Sequence, residues 1–149
     1  MNNYLKKNLQ LLKKHCSFLD TLPEELSRSI RVENTPEGNT VWFNNKLIHS
    51  MYDPVKEGRV FANKINMGNQ VFLYGFGLGY HIDSLLNKIG PNGFLLTIEL
   101  NPDLLHAAML LRDQSKILSS NQFHLVCGSN EDTVATEITK YMKKMQTSS

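Results

Sequence analysis

The stretch VFLYGFGLGYH, residues 71–81, decides the fold of this chain. Its first four residues form a short, unbroken apolar run, which is typical of a strand buried on both faces of a sheet. Three glycines follow, and apolar residues then recur at helical spacing between positions 82 and 89. Glycine suits a sharp turn from a strand into a helix, because it permits unusual backbone angles and close approach. The stretch therefore predicts a strand, a glycine loop and a helix in succession.

Strands and helices continue to alternate downstream of this loop. Apolar runs at 94–98 and 123–127 predict two more strands, each followed by a helix, and Ser129 and Asp132 resemble a capping box that opens the last helix. Such alternation implies right-handed crossovers, so we predict an α/β, Rossmann-like (methyltransferase-like) three-layer unit with a short parallel sheet. Three strands leave exposed edges, which predicts self-association of the isolated domain or a longer native polypeptide.

The residues before this unit have a different pattern. Apolar residues at three- and four-residue steps predict a helix over 3–19, and β-rich segments within 29–49 predict a small antiparallel β-meander. Asn44 and Asn45 suit the positive φ angles of a two-residue hairpin turn in that meander. We therefore divide the chain into 1–52, helix plus β-meander, and 53–149, the Rossmann-like unit.

A further helix is expected to begin the second part of the chain. Asp53 can cap its free N–H groups, and Pro54 fits the first turn, where no donor is needed. Its apolar side is predicted from residues that lie on one face at helical spacing. These residues are Val55, Val60, Phe61 and Ile65.

The composition limits the classes of protein to which this chain can belong. The chain has 149 residues, of which 41% are hydrophobic and 20% charged, as is ordinary for one soluble globular domain. A net charge of +2 gives no argument for nucleic acid binding, and no apolar run is long enough to cross a membrane. Cys16 and Cys127 lie far apart in the sequence, which predicts reduced thiols and a cytoplasmic location.

The glycine loop is the candidate ligand site. A helix N-terminus directs N–H groups and a partial positive charge at such a loop. Glu99 ends the next strand 20 residues after Gly79, where an acid can accept hydrogen bonds from ribose hydroxyls. A nucleotide-like ligand is therefore the candidate cofactor, and a purely structural turn is the alternative. The predicted binding residues are Gly75, Phe76, Gly77, Gly79, Tyr80, His81 and Glu99.

The spacing of the glycines distinguishes two kinds of cofactor site. The dinucleotide fingerprint G-x-G-x-x-G requires glycine at position 80, where this chain has Tyr80. The observed G-x-G-x-G resembles the first motif of class I S-adenosylmethionine-dependent methyltransferases. Those enzymes usually carry an acid two residues before the first glycine, where this chain has Leu73. A methyltransferase-like small-molecule-binding domain is therefore the alternative function.

Other chemistry-bearing residues define no site by their spacing. His49 and His106 have no companions at metal-ligand spacing, so no metal site is predicted. No nucleophile and base stand out as a pair, and no catalytic residue is identified.

Two segments together resemble a known family. LIHSMYDPVKE, residues 47–57, precedes YGFGLGYH, residues 74–81, and the second strand ends IELN, residues 98–101. This combination resembles the N-terminal region of the bacterial motility-associated factor family, the flagellin glycosyltransferases with an MptE-like central domain, over about residues 1–135. The resemblance implies an accessory, non-catalytic domain whose partners are the central transferase domain of the same polypeptide and flagellin.

Overall fold

The computed structural model describes residues 4–16, 22, 25–66, 68–127 and 131–147, and has a mixed α/β architecture. An N-terminal helix and an antiparallel sheet precede a parallel sheet with its helices, which confirms the predicted fold class. The elements are α1 (Tyr4–Leu12), β1 (Ile30–Thr35), β2 (Gly38–Phe43), β3 (Lys46–Leu47), α2 (Pro54–Lys64), β4 (Gln70–Tyr74), α3 (Tyr80–Lys88), β5 (Phe94–Glu99), α4 (Pro102–Leu111), α5 (Ser115–Leu118), β6 (Phe123–Cys127) and α6 (Glu131–Thr147).

The first sheet is the predicted β-meander, with strands in the order β1-β2-β3. Val32 pairs with Val41, and Trp42 pairs with Leu47. Asn44 and Asn45 connect β2 to β3 with φ angles of 47° and 67°, as expected for a two-residue hairpin turn. The local turn chemistry therefore fixes the register of this hairpin.

The second sheet is parallel, with strands in the order β4-β5-β6. On β5, Leu95 packs with Leu125 in the larger hydrophobic core, which also holds the buried apolar residues of α3 and α4. Leu96 and Val126 pack on the other side with Val134 of α6. Because neighbouring strand residues face opposite sides, α3 and α4 cover one face of the sheet and α6 covers the other.

Strand β4 differs from its prediction as a strand buried on both faces. The side chain of Phe72 is 53% exposed and that of Tyr74 is 74% exposed, whereas Val71 and Leu73 pack partly against the larger core. The prediction was wrong because β4 lies at the edge of the sheet, where α6 does not cover it. An apolar run indicates a strand but does not give its position in the sheet.

The N-terminal helix is shorter than predicted. It ends at Leu12, after which Lys14 N donates to Leu11 O in a tight turn. Cys16 is outside the helix but is still buried, and a disulfide joins it to Cys127 across a Cα–Cα distance of 6.1 Å. The prediction of two separate reduced thiols was therefore wrong, because folding joins positions that are 111 residues apart. Leu19, which the helix prediction included, lies outside the described residues.

Helix α2 starts as predicted, and part of its predicted apolar side is confirmed, because Phe61 and Ile65 pack against the larger core. Asp53 accepts a hydrogen bond from Lys56 N at 2.9 Å, and Pro54 occupies the first turn. Val55 and Val60, which were predicted on the apolar side, are 40% and 42% exposed. The buried side also contains Gly58, where a Cβ atom would lie 2.5 Å from a backbone oxygen of α3, so the two helices approach more closely than a side chain at this position would allow.

The remaining predictions concern the C-terminal part of the chain. The last helix is confirmed as α6, but Ser129 of the predicted capping box lies outside the described residues. The short helix α5 was not predicted. Throughout the described ranges, no helix combines the length and the apolar character that a membrane crossing requires.

Candidate functional site

The glycine loop joins the carboxyl end of β4 to the start of α3. Gly75, Gly77 and Gly79 have φ angles of 95°, 57° and 92°, a region that favours glycine because it has no Cβ atom. Gly79 is the N-cap residue of α3 and, because it has no side chain, makes no capping hydrogen bond to the first N–H groups of this helix. The backbone therefore makes the sharp turn from a strand into a helix for which the sequence predicted glycines.

The imidazole of His49 occupies the space beside Gly77. Its Nε2 atom accepts a hydrogen bond from Leu78 N at 3.0 Å, and a Cβ atom added to Gly77 would lie 2.6 Å from the same nitrogen. Only 4% of His49 is exposed. The glycine at 77 therefore makes room for a side chain of this chain.

The hydrogen bonds of His49 determine its tautomer. Because Leu78 N can only donate, Nε2 must carry the lone pair, so Nδ1 carries the proton and donates to Glu57 Oε1 at 3.0 Å. Burial, with a smaller contribution from the positive charge of Arg112, lowers the pKa of His49 to about 4. His49 is therefore neutral at neutral pH and links α2 to the glycine loop.

The carboxylate of Glu99 holds the other side of the loop. Oε1 accepts a hydrogen bond from Phe76 N at 3.0 Å, and Oε2 accepts one from Asn101 N at 3.1 Å. Glu99 is only 7% exposed. The acid predicted to bind a ribose diol thus uses both oxygens to fix backbone groups, one in the loop and one at the start of α4.

Two side chains that follow α4 hold the carbonyl oxygen of Leu78. Arg112 Nη1 donates to this oxygen at 2.8 Å, and Gln114 Nε2 donates to it at 2.9 Å. The Arg112 guanidinium also lies 3.9 Å from the ring centroid of Tyr80 and donates from Nη2 to Asp83 at 3.0 Å. Arg112 and Gln114 were not predicted from the sequence, because no local spacing connects them with a loop more than 30 residues earlier.

Tyr80 and His81 flank the loop, as the sequence predicted, but both pack against other parts of the chain. The Tyr80 hydroxyl donates to Asn39 O of the meander at 2.5 Å, and burial raises the pKa of this hydroxyl. The ring of His81 lies edge-on to Phe61 with 4.3 Å between centroids, and its burial lowers the pKa. These residues connect the start of α3 to the meander and to α2.

Folding gives His49 the companions that its sequence spacing did not show. His49, Glu57 and His81 each offer one potential ligand atom, and these three atoms lie within 4.8 Å of one another. Histidine and glutamate are residue types that bind zinc. The hydrogen bond from Leu78 N opposes such a site. A metal on Nδ1 of a neutral imidazole would require the proton on Nε2, where it would face the Leu78 N–H group.

The site is thus a junction at which three parts of the chain meet. The first of the two motifs, residues 47–57, contains His49 and Glu57, and the second is the glycine loop. The His49 ring brings these two motifs into direct contact. The fold and the loop define a Rossmann-like α/β domain whose glycine loop is held by its own side chains.

A family model described as the glycosyltransferase Maf N-terminal domain matches residues 4–148. The chain therefore belongs to this family, as its resemblance to the motility-associated factors predicted. No curated protein matches the chain.

Proposed function

We propose that this chain is an accessory domain of a motility-associated glycosyltransferase and that its glycine loop is a structural junction. The observation that carries the proposal is the use of the loop's own polar groups. Leu78 N donates to His49 and Phe76 N donates to Glu99, so two N–H groups that a phosphate would need already have partners. The match to a glycosyltransferase N-terminal domain supports the accessory role within a longer polypeptide.

A second candidate function is the binding of a nucleotide-like ligand at the same loop. It is favoured by the positive φ angles of Gly75, Gly77 and Gly79 and by the glycine at the N-cap position of α3, which makes no side-chain cap hydrogen bond. This candidate requires the His49 ring to leave the position beside Gly77. Tyr80, His81 and Glu99 would then border the ligand.

Calorimetry distinguishes the two candidates. The 149-residue chain is titrated with S-adenosylmethionine, nucleotides and nucleotide sugars at millimolar concentration. A structural junction gives no heat and no thermal shift with any of them. A ligand whose binding is lost in Gly77→Val and weakened by about 1.5–3 kcal/mol in Glu99→Ala would instead support the second candidate. Glu37→Ala, at an exposed carboxylate, is the matched control.

The longer polypeptide tests the accessory role. Transfer of a nonulosonic acid sugar to Ser or Thr of flagellin, measured by mass spectrometry, is the activity that the family resemblance implies. If the domain is accessory, Gly77→Val lowers transfer only as far as it lowers the amount of folded protein. A large loss of turnover in fully folded Gly77→Val protein would contradict the proposal.

We also propose that this domain is located in the cytoplasm. The observation against it is the disulfide between Cys16 and Cys127, because disulfides are rare in reducing compartments. Fractionation of cells followed by immunoblotting tests the location. Recovery of the protein with cytoplasmic markers supports the proposal, and recovery in another compartment contradicts it.

A further inference from the structure

The two edges of the parallel sheet are unequal. At the outer edge of β6, Leu125 N donates to His15 Nδ1 at 3.3 Å, and the disulfide joins Cys16 to Cys127 in the same strand. His15 is anchored in turn by a 2.7 Å contact between its Nε2 and Leu118 O. The residues that follow α1 therefore occupy the β6 edge and prevent another strand from pairing there.

None of the described residues covers the outer edge of β4 in this way. Gly75 N donates to Ile98 O, and Asn69 O accepts from Phe94 N, so the odd-numbered residues direct their backbone groups toward β5. The N–H and C=O groups of Phe72 and its even-numbered neighbours therefore point away from the sheet. Within the described part of the chain, β4 pairs only with β5.

The uncovered region extends from this edge onto one face of the sheet. Phe72 pairs with Leu96 and Tyr74 pairs with Ile98, so each exposed aromatic residue has an apolar neighbour on β5. The β5 residues lie beneath α6, which packs on them through Ile138 and its neighbours. Phe72 and Tyr74 thus continue the α6-covered layer but are themselves exposed.

The placement of the helices shows in which direction the sheet continues. The connections β4-α3-β5 and β5-α4-β6 advance in one direction and place their helices over one face. Helix α6 lies over the opposite face. Because crossovers between parallel strands are right-handed, a helix on the opposite face leads back in the opposite direction. With the β6 edge occupied, the next parallel strand belongs beyond β4.

We propose that the open edge of β4 receives a parallel strand from the part of the glycosyltransferase polypeptide that follows α6. This inference rests on the proposed function, because it requires the chain to be the N-terminal domain of a longer protein. The added strand would be the fourth strand of the sheet and would lie next to β4. Strand β4 would then have a neighbour on each side. Phe72 and Tyr74 would then be buried beneath the polypeptide that follows.

Amide hydrogen exchange tests the pairing directly. The exchange rates of the Phe72 and Tyr74 amides are measured in the 149-residue chain and in the longer polypeptide. Both amides are expected to exchange at least about 100-fold more slowly in the longer polypeptide, because interior strands are protected. The amides of Val71 and Leu73, which face β5, should be protected in both proteins. Equal rates for Phe72 and Tyr74 in the two proteins would overturn the proposal.

A proline variant provides an independent test. Phe72→Pro removes an N–H group that faces solvent in the short chain but pairs with the added strand in the longer one. Phe72→Thr, which keeps the N–H group, is the matched control. Only the longer polypeptide is expected to lose thermal stability in Phe72→Pro relative to Phe72→Thr. An equal difference between the variants in both proteins would contradict the pairing.

The competing occupant is a second copy of this chain. Protection of the Phe72 amide that rises with the concentration of the 149-residue chain, and is absent from the monomeric longer polypeptide, would overturn the proposal in favour of self-association. These measurements are separate from the ligand titrations and transfer assays, so a failure of the accessory role and a failure of the strand pairing can be distinguished.

Discussion

Acidification should destabilise the domain through His49, and the substitution His49→Gln should remove this contribution. Protonation of the ring would add a charge to a buried site and would replace the lone pair that accepts from Leu78 N. Glutamine keeps both hydrogen-bonding roles, because its carbonyl can accept from Leu78 N and its amide can donate to Glu57. It does not titrate, so the difference between the two proteins reports the protonation of His49 together with its effect on the neighbouring His81.

The direction follows from the two pKa values of His49. Its pKa is lowered from 6.5 to about 4 on folding, so between these values the unfolded chain binds more protons than the folded chain. The stabilisation is therefore fully present above about pH 6.5, declines as the pH falls, and is lost below about pH 4. The shift corresponds to about 3 kcal/mol as an upper limit, because the nearby Glu57 carboxylate favours the protonated ring.

Urea unfolding at several pH values between 7.5 and 4 measures this effect. The free energy of unfolding of the wild type should fall relative to His49→Gln by up to about 1.4 kcal/mol per pH unit in this window. Burial also lowers the pKa of His15 and His106, and these contributions are common to both proteins. The pKa of His81 is lowered by burial and, to a smaller extent, by His49, so the substitution also changes the titration of His81. Parallel pH profiles for the two proteins would refute the reasoning.

Three further predictions concern the loop and the disulfide. Gly77→Ala should lower the free energy of unfolding by about 1–3 kcal/mol, and by less in a His49→Ala background, because the added Cβ atom collides with the imidazole. Glu99→Gln should cost about 1–3 kcal/mol in urea unfolding, because one amide oxygen replaces two carboxylate oxygens that each accept a backbone N–H group. Reduction of the Cys16–Cys127 disulfide should lower stability by up to about 5 kcal/mol, the loop-closure value for a separation of 111 residues.

Each of these predictions has a control. Equal costs of Gly77→Ala in the two backgrounds would show that the imidazole is not the obstacle. Glu37→Gln, at an exposed carboxylate, should leave stability within about 0.5 kcal/mol of the wild type. A Cys16→Ser variant should not respond to reductant, and a wild type equally insensitive to it would contradict the contribution of the disulfide.

Features that depend on local chemistry could be predicted from the sequence. Asp53 and Pro54 start α2, and Asn44 and Asn45 make the hairpin turn, because capping groups and positive φ angles involve only neighbouring residues. The alternation of strands and helices gave the parallel sheet for a similar reason, since period and length are readable along the chain. The glycines of the loop lie at the end of β4, as predicted, because they follow this strand directly in the chain.

The error on β4 has a different physical origin. An unbroken apolar run such as 71–74 records a preference for the extended state and for burial, but not how many neighbours the strand has. Exposure of Phe72 depends on the position of α6, which begins more than 50 residues later. Similarly, the exposure of Val55 and Val60 and the burial of Gly58 were not predicted, because the close approach of α3 decides which side of α2 is buried.

The amino-acid sequence by itself determined the order of the elements, their caps and turns, and the glycine loop, because these features arise from interactions between residues close in the chain. Only the tertiary structure decided what occupies the loop. His49 reaches Leu78 across 29 positions, and Arg112 reaches the same residue across 34. Such contacts have no signature in local spacing, because they exist only after packing has brought distant segments to the same end of the sheet.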